Sequence, residues 1–150
     1  DLSIKVRNIE SLKEIWGDER FLMSWGYASK FKDNWPDIES YIFSEGGTTP
    51  VICLELSCYV GDELIAASYL DYAGEGTSAV VAMYDVSLSW RRLGIFTILK
   101  EVEHSQSLGC SYYYLGYIHE QSSIYDYKKQ FFGLEFYNTE KGIWEDYQRR

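Results

Sequence analysis

A chain of 150 residues, 46% apolar and 25% charged, can bury one core without disulfides or metals, which excludes a disordered tail. Its 14 basic residues against 23 acidic give a net charge of −9, which excludes a broad non-specific grip on nucleic acid but not a small local phosphate site. No apolar run reaches the ~18 residues of a bilayer span and no signal-peptide pattern opens the sequence, so a single soluble, cytoplasmic domain over residues 1–150 without membrane association is expected.

Leu2, Ile4 and Val6 alternate with Ser3, Lys5 and Arg7, the period of a strand. From Ser11 to about Phe31 the period is helical, with a break near Gly17; Leu12, Ile15 and Trp16 form one apolar group and Phe21, Leu22, Trp25 and Ala28 another. Asn34, Pro36, Asp37 and Glu39 supply a cap, an early proline and first-turn acids for a second helix reaching about Ser44. Three β-rich runs follow, Val51–Val60, Leu64–Tyr72 and Ser78–Val86, joined at Gly61-Asp62-Glu63 and Gly74–Gly76 as an antiparallel meander. The third run is apolar on both faces and is predicted to lie centrally in the sheet. Ser87–Gly94 reads as a loop, Ile95–Leu108 as a helix stopped by Gly109, and Ser111–Ile118 as a strand. A short helix over Ser122–Phe131 and a hairpin from Leu134–Tyr137 and Ile143–Tyr147 complete the order. Strand, helix, strand over residues 78–118 requires a crossover, expected to be right-handed, and so one parallel pair in a mostly antiparallel sheet. The fold class is α+β, in three layers.

The chemistry-bearing residues gather late in the chain. Trp90-Arg91-Arg92-Leu93-Gly94-Ile95 lies between a strand and a helix start, where unpaired N–H groups and two arginines suit a phosphate. Between Ser89 and Lys100 there are only basic charges, an island in an acidic chain. An ordinary loop with solvated arginines would read the same way. Tyr84-Asp85 ends the preceding strand, where open α/β sheets bind ligands. The 14 tyrosines suit the wall of a cleft for an amphipathic ligand, and alternation sends Tyr112 and Tyr114 to one face and Tyr113 to the other. His119-Glu120 could accept a proton from an amine, or be a solvated pair of no consequence. No nucleophile-elbow or zinc-protease motif occurs; Cys53, Cys58 and Cys110 form no CxxC pair, so reduced thiols and no metal are expected.

Met83-Tyr84-Asp85, Arg92-Leu93-Gly94-Ile95-Phe96-Thr97-Ile98-Leu99, Leu108-Gly109, Tyr112-Tyr113-Tyr114-Leu115-Gly116-Tyr117 and Tyr127-Lys128 together resemble the C-terminal region of the aminoacyl-tRNA–protein transferases. Asp62–Ser68 and Leu70-Asp71-Tyr72 look like the strand before that core. The resemblance covers roughly residues 50–145. It implies a GNAT-like acyltransferase fold and transfer of an amino acid from the 3′ end of a charged tRNA to a protein or peptide amine, with no tightly bound cofactor. By the same resemblance Arg92, Leu93 and Gly94 sit against the donor's terminal phosphates, and the loop's own chemistry adds Arg91 and Ile95 to that phosphate site. Tyr84 and Asp85 border the acyl pocket, with Tyr114, Tyr117, Tyr127 and Lys128 around the reacting centre or the acceptor; His119 and Glu120 are candidates for the reaction through their own proton-accepting chemistry and not through the resemblance. Ile124 and Tyr125 stand where the family usually has Lys-Met, and Gly133 follows Phe132 where a proline is common. The rival is a CoA-dependent N-acetyltransferase using acetyl-CoA, since Arg91-Arg92-Leu93-Gly94-Ile95-Phe96 meets all but the last position of that phosphate loop. A non-catalytic binding module of the same fold is the third reading.

Overall fold

The computed structural model describes residues 2–9, 19–28 and 51–147, and the chain divides into two compact units, Asp1–Gly116 and Tyr117–Arg150. In the first, five strands follow the predicted order: β1 (Leu2–Ile9), β2 (Ile52–Val60), β3 (Glu63–Ala73), β4 (Gly76–Tyr84) and β5 (Tyr112–Tyr114). They pair in sequence order, antiparallel from β1 to β4 and parallel between β4 and β5. Gly61 and Gly74 supply the positive φ, 62° and 69°, that the two hairpin turns require.

Helix α1 (Glu19–Ala28) and helix α2 (Leu93–Ser107) cover opposite faces, giving three layers. Met23, Tyr27 and Ala28 of α1 pack with Ala67, Tyr69, Met83 and Val81. On the other face Leu93 and Phe96 of α2 join Cys58 and Ala66, while Leu54, Leu56 and Leu70 pack with Tyr72 and Tyr113. Burying each large apolar side chain stabilises the unit by about 1.5–3 kcal/mol. α2 ends where expected, Gly109 taking φ 79° just past it.

The structure revises some details. The middle strand is β3, buried without interruption from Leu64 to Leu70, whereas β4 is mostly half-buried. Leu22, counted in an apolar group, is 71% exposed, because residues 20, 23 and 27 turn inward at helical period. The strand predicted to reach Ile118 ends at Tyr114. The second predicted helix, the start of the first, and Leu12, Ile15 and Trp16 lie outside the described residues.

Among its described residues the second unit holds a 3-10 turn, Asp126–Gln130, in place of the helix over 122–131, and the predicted hairpin, β6 (Glu135–Asn138) with β7 (Ile143–Asp146). Tyr137 and Trp144 pair across it with ring centroids 5.4 Å apart. No helix among the described residues is long and apolar enough to cross a membrane.

Candidate functional site

A strand that outruns its neighbour leaves backbone uncovered, and β4 does so. β5 pairs with it over three rows only, Gly76–Tyr112, Thr77–Tyr113 and Ser78–Tyr114. From Ala79 to Tyr84 that side of β4 has no strand partner among the described residues. Where this gap opens, Leu70 pairs with Ala79 and Tyr69 with Val81, so Val80 is bulged and has no partner on β3. A bulge of this kind re-aims the backbone and takes one residue out of the ladder.

At the open end Tyr84 leads to Asp85, whose carboxylate accepts the Ser87 N–H at 2.8 Å and caps a 3-10 turn over Val86–Arg91. Asp85, expected beside an acyl pocket, thus holds the turn in shape. Arg92 then takes a left-handed conformation (φ 52°, ψ 44°), the only non-glycine residue among those described to do so, and redirects the chain into α2. No side chain caps this helix. The Ile95 and Phe96 N–H groups both bond to the Arg92 carbonyl, at 3.0 and 3.1 Å, and those of Leu93 and Gly94 have no acceptor among the described residues. Two open donors at the positive end of a helix make a seat for an anion.

The side chains fit that reading. Leu93 is buried and anchors the turn; Arg91 and Arg92 are exposed, with no acidic partner among the described residues. Arg91 lies 4.8 Å from the centroid of the Trp90 ring. Ile95 is half-buried. The Tyr84 ring lies against the first turn of α2 at Gly94, where a Cβ would stand 3.4 Å from Tyr84 Cε1, an ordinary contact distance. Tyr27 of α1 meets the same ring edge-on at 4.8 Å between centroids.

At the closed end Tyr114, 45% exposed, shares its face with Gly76: a Cβ there would lie 3.3 Å from Tyr114 Cε2. Tyr113 points to the other face, as alternation predicts, and donates a hydrogen bond to the buried carboxylate of Glu101 on α2. Nearby, Thr77 and Ser105 hydroxyls bond at 2.6 Å.

The remaining expected site residues belong to the second unit. Tyr117, His119 and Glu120 are exposed and Tyr127 and Lys128 half-buried. The His119 ring lies 6.0 Å from that of Tyr125, and the Lys128 ammonium stands 5.3 Å from the same Tyr125 ring. Gln130 donates to the Tyr127 carbonyl at 2.6 Å.

Residues 19–138 match the family described as arginine-tRNA-protein transferase, C terminus. The chain belongs to this family. An aspartate/glutamate leucyltransferase of Afipia carboxidovorans is 42% identical over 71 residues, 47% of this chain and 28% of that protein. One from Acinetobacter baylyi is 39% identical over 80 residues, 53% of this chain and 30% of that protein. The chain therefore spans about a third of the length of the relatives it matches. Among solved structures, a ribosomal-protein-alanine N-acetyltransferase from Brucella melitensis superposes with a TM-score of 0.60 at 12% identity, covering 99% of this chain and 97% of the other. A PaiA N-acetyltransferase from Thermoplasma acidophilum gives 0.50 at 17% identity, covering 84% and 87%. The fold is that of the GNAT acyltransferases, as the family resemblance implies and in agreement with the order of elements.

Two acids escaped the sequence reading. Glu55 on β2 is 1% exposed and accepts from Arg7 Nε and Nη2 (3.0 and 2.9 Å), Arg20 Nε (2.8 Å), Ser57 Oγ (2.6 Å) and the Tyr69 hydroxyl (3.1 Å). Burial alone would raise its pKa; the bonds from Arg7 and Ser57 and the Arg20 charge outweigh it and hold the carboxyl below the usual glutamate range. Asp71 on β3 is the other. An acid set within or directly after an apolar β-rich run, as Glu55 is between Leu54 and Leu56 and Asp71 is after Leu70, is the signal that would have found each.

Proposed function

We propose that the chain is an acyltransferase domain that moves an aminoacyl group from the 3′ end of an aminoacyl-tRNA to the N-terminal amine of a protein. The observation that carries the reading is the Arg91–Ile95 turn: an uncapped helix start with two exposed arginines, inside the family match and at the open end of the β4–β5 gap. The Leu93 and Gly94 N–H groups and the Arg91 and Arg92 guanidinium groups would hold the donor's terminal phosphates. Tyr84 would border the acyl group, and Asp85 would act through the turn it caps. The acyl ester is already activated, so catalysis needs alignment of the two partners, removal of the amine proton and stabilisation of an oxyanion. The bulged Val80 backbone is suited to the last task.

The relatives' names suggest a leucyl donor and acceptors that begin with aspartate or glutamate. For the second unit, family resemblance supports Tyr117, Tyr127 and Lys128 around the reacting centre or the acceptor, and the chemistry of imidazole and carboxylate supports His119 and Glu120 in proton handling. The donor is consumed as a substrate, no tightly held cofactor is required, and a cytoplasmic site of action follows from the need for charged tRNA.

Incubation with radiolabelled leucyl-tRNA and peptides starting with Asp or Glu tests the reading, label transfer being the expected result. Failure with every charged tRNA, together with a raised melting temperature in acetyl-CoA, would turn the assignment to a CoA-dependent acetyltransferase, because a ligand of the native state alone stabilises it. Silence in both assays would leave a binding module.

A further inference from the structure

Two turns in series build the loop that leads into α2. The Leu88 N–H donates to the Asp85 carbonyl at 3.1 Å, and the Arg92 N–H donates to the Ser89 carbonyl at 3.1 Å. Trp90 and Arg91 are therefore the two corner residues of the second turn. No residue of Val86–Arg91 is buried, and Trp90, 72% exposed, is the most exposed large apolar side chain described in the first unit. Tryptophan is highly buried on average, so a ring left in water at a turn corner asks for a partner.

One face of that ring is already held. The Arg91 guanidinium lies over it, 4.8 Å from the centroid, a cation–π contact that fixes the indole, and the exposure leaves the opposite face open. From Ser89 to Lys100 the sequence carries no acid, so the surroundings favour an anionic ligand. The ring also sits beside the anion seat. Leu93, which has the first open N–H, follows Trp90 by three residues, so their Cα atoms stand within about 11 Å. The turn tightens the same stretch, bringing its own ends to about 7 Å or less. A phosphate on the Leu93 and Gly94 N–H groups is thus one nucleotide's reach from an open aromatic face. Tyr84 meets the first turn of α2 from the sheet, at Gly94. With the acyl group toward Tyr84, the base on the same ribose is left to the outer side of the turn, where Trp90 stands.

We propose that Trp90 is the platform on which the terminal base of the donor stacks, Arg91 backing the ring and the start of α2 holding the adjoining phosphate. The proposal rests on the aminoacyl-tRNA reading above and adds a ligand subsite to it. The chemistry recognised is a purine joined through ribose to a phosphate. A charged tRNA presents it as the 3′-terminal adenosine, and acetyl-CoA presents it as an adenine nucleotide; the tRNA end is the source that the donor reading requires. Stacking on an aromatic side chain tightens binding roughly 5- to 150-fold per base. A chain of net charge −9 gains from such a contact, because it draws on no dense field of basic residues.

The test measures binding of fluorescent acceptor-stem RNAs carrying a 3′ leucyl amide to the full chain. One RNA ends in adenosine and the other lacks only that base. With the original chain the intact end is expected to bind about 5- to 150-fold tighter. Trp90→Ala should bind both within about twofold, and Trp90→Phe, which keeps an aromatic face, should restore most of the preference. Melting temperatures should match, since the side chain is exposed. Equal binding of the two RNAs by the original chain, or a preference that survives in Trp90→Ala, overturns the platform and leaves the donor reading standing. Binding of neither RNA by the original chain overturns the donor reading and the platform with it. Trp90-dependent binding of coenzyme A in that event would assign the adenine to the CoA class and overturn the tRNA assignment. Should Trp90→Ala not fold, Trp90→Leu takes its place, and loss of fold in both would make the ring structural and overturn the proposal.

Discussion

Glu55 sets the terms at the scale of single residues. Removing one partner of a buried ion pair leaves the others uncompensated, so Glu55→Gln is expected to destabilise the first unit by about 3 kcal/mol at neutral pH. Because the folded carboxyl titrates below its unfolded value of about 4.3, its contribution is complete above that pH and is lost as pH falls through the folded value. Denaturant unfolding at pH 7 and near pH 3 checks the sign: the gap between original and variant must narrow in acid, and a constant gap would refute the account. Arg92 tests the opposite separation. Its left-handed backbone is strained for any side chain, so Arg92→Gly is expected to raise stability by about 0.5–1 kcal/mol while weakening donor binding. A parallel loss of both would make the arginine part of the fold. The chain reversal at Arg91–Gly94 was legible from residue types because a strand end, a glycine and the start of a helical period are local signals. Glu55 and Asp71 were not, since their partners lie on other strands and hydrogen-bond satisfaction is a tertiary property.

Among elements, the meander and the parallel crossover were legible because strand alternation, turn glycines and one amphipathic helix all point the same way. Where β5 stops was not, for Ser111–Ile118 has a strand's composition throughout, and only the positive φ of Gly116 (83°) marks a break soon after Tyr114. This early stop leaves the gap beside β4, and Gly76 helps to fix its closed end. A Cβ there would meet Tyr114 Cε2 at 3.3 Å, tighter than an ordinary contact, and would already touch the Tyr112 carbonyl at 3.4 Å, leaving no room for the two further methyl groups of a valine. Gly76→Val is therefore expected to prise β5 from β4, costing about 1–3 kcal/mol. Amide exchange should quicken at Tyr112–Tyr114 and stay slow across β2 and β3. Uniform quickening would mean that the pairing of β4 with β5 is not separable from the rest of the sheet.

For the whole molecule, a net charge of −9 and the proposed nucleic-acid donor make an awkward pair unless contact is confined to a few phosphates. Any binding that neutralises phosphates releases counterions, and the salt dependence counts how many. If Arg91 and Arg92 carry the contact to a single-stranded 3′ end, the logarithm of the affinity should fall against the logarithm of salt with a slope of about −1.4, two charges at roughly −0.7 each. A broad basic face would give a slope several times steeper. Titration of a fluorescent aminoacylated tRNA acceptor stem over a range of salt concentrations measures this directly. Arg92→Ala should reduce the steepness by about 0.7 while lowering affinity. A slope steeper than about −4, or one indifferent to Arg92, would place the donor's main contacts elsewhere than at the start of α2, and the acidic surface would then need another explanation.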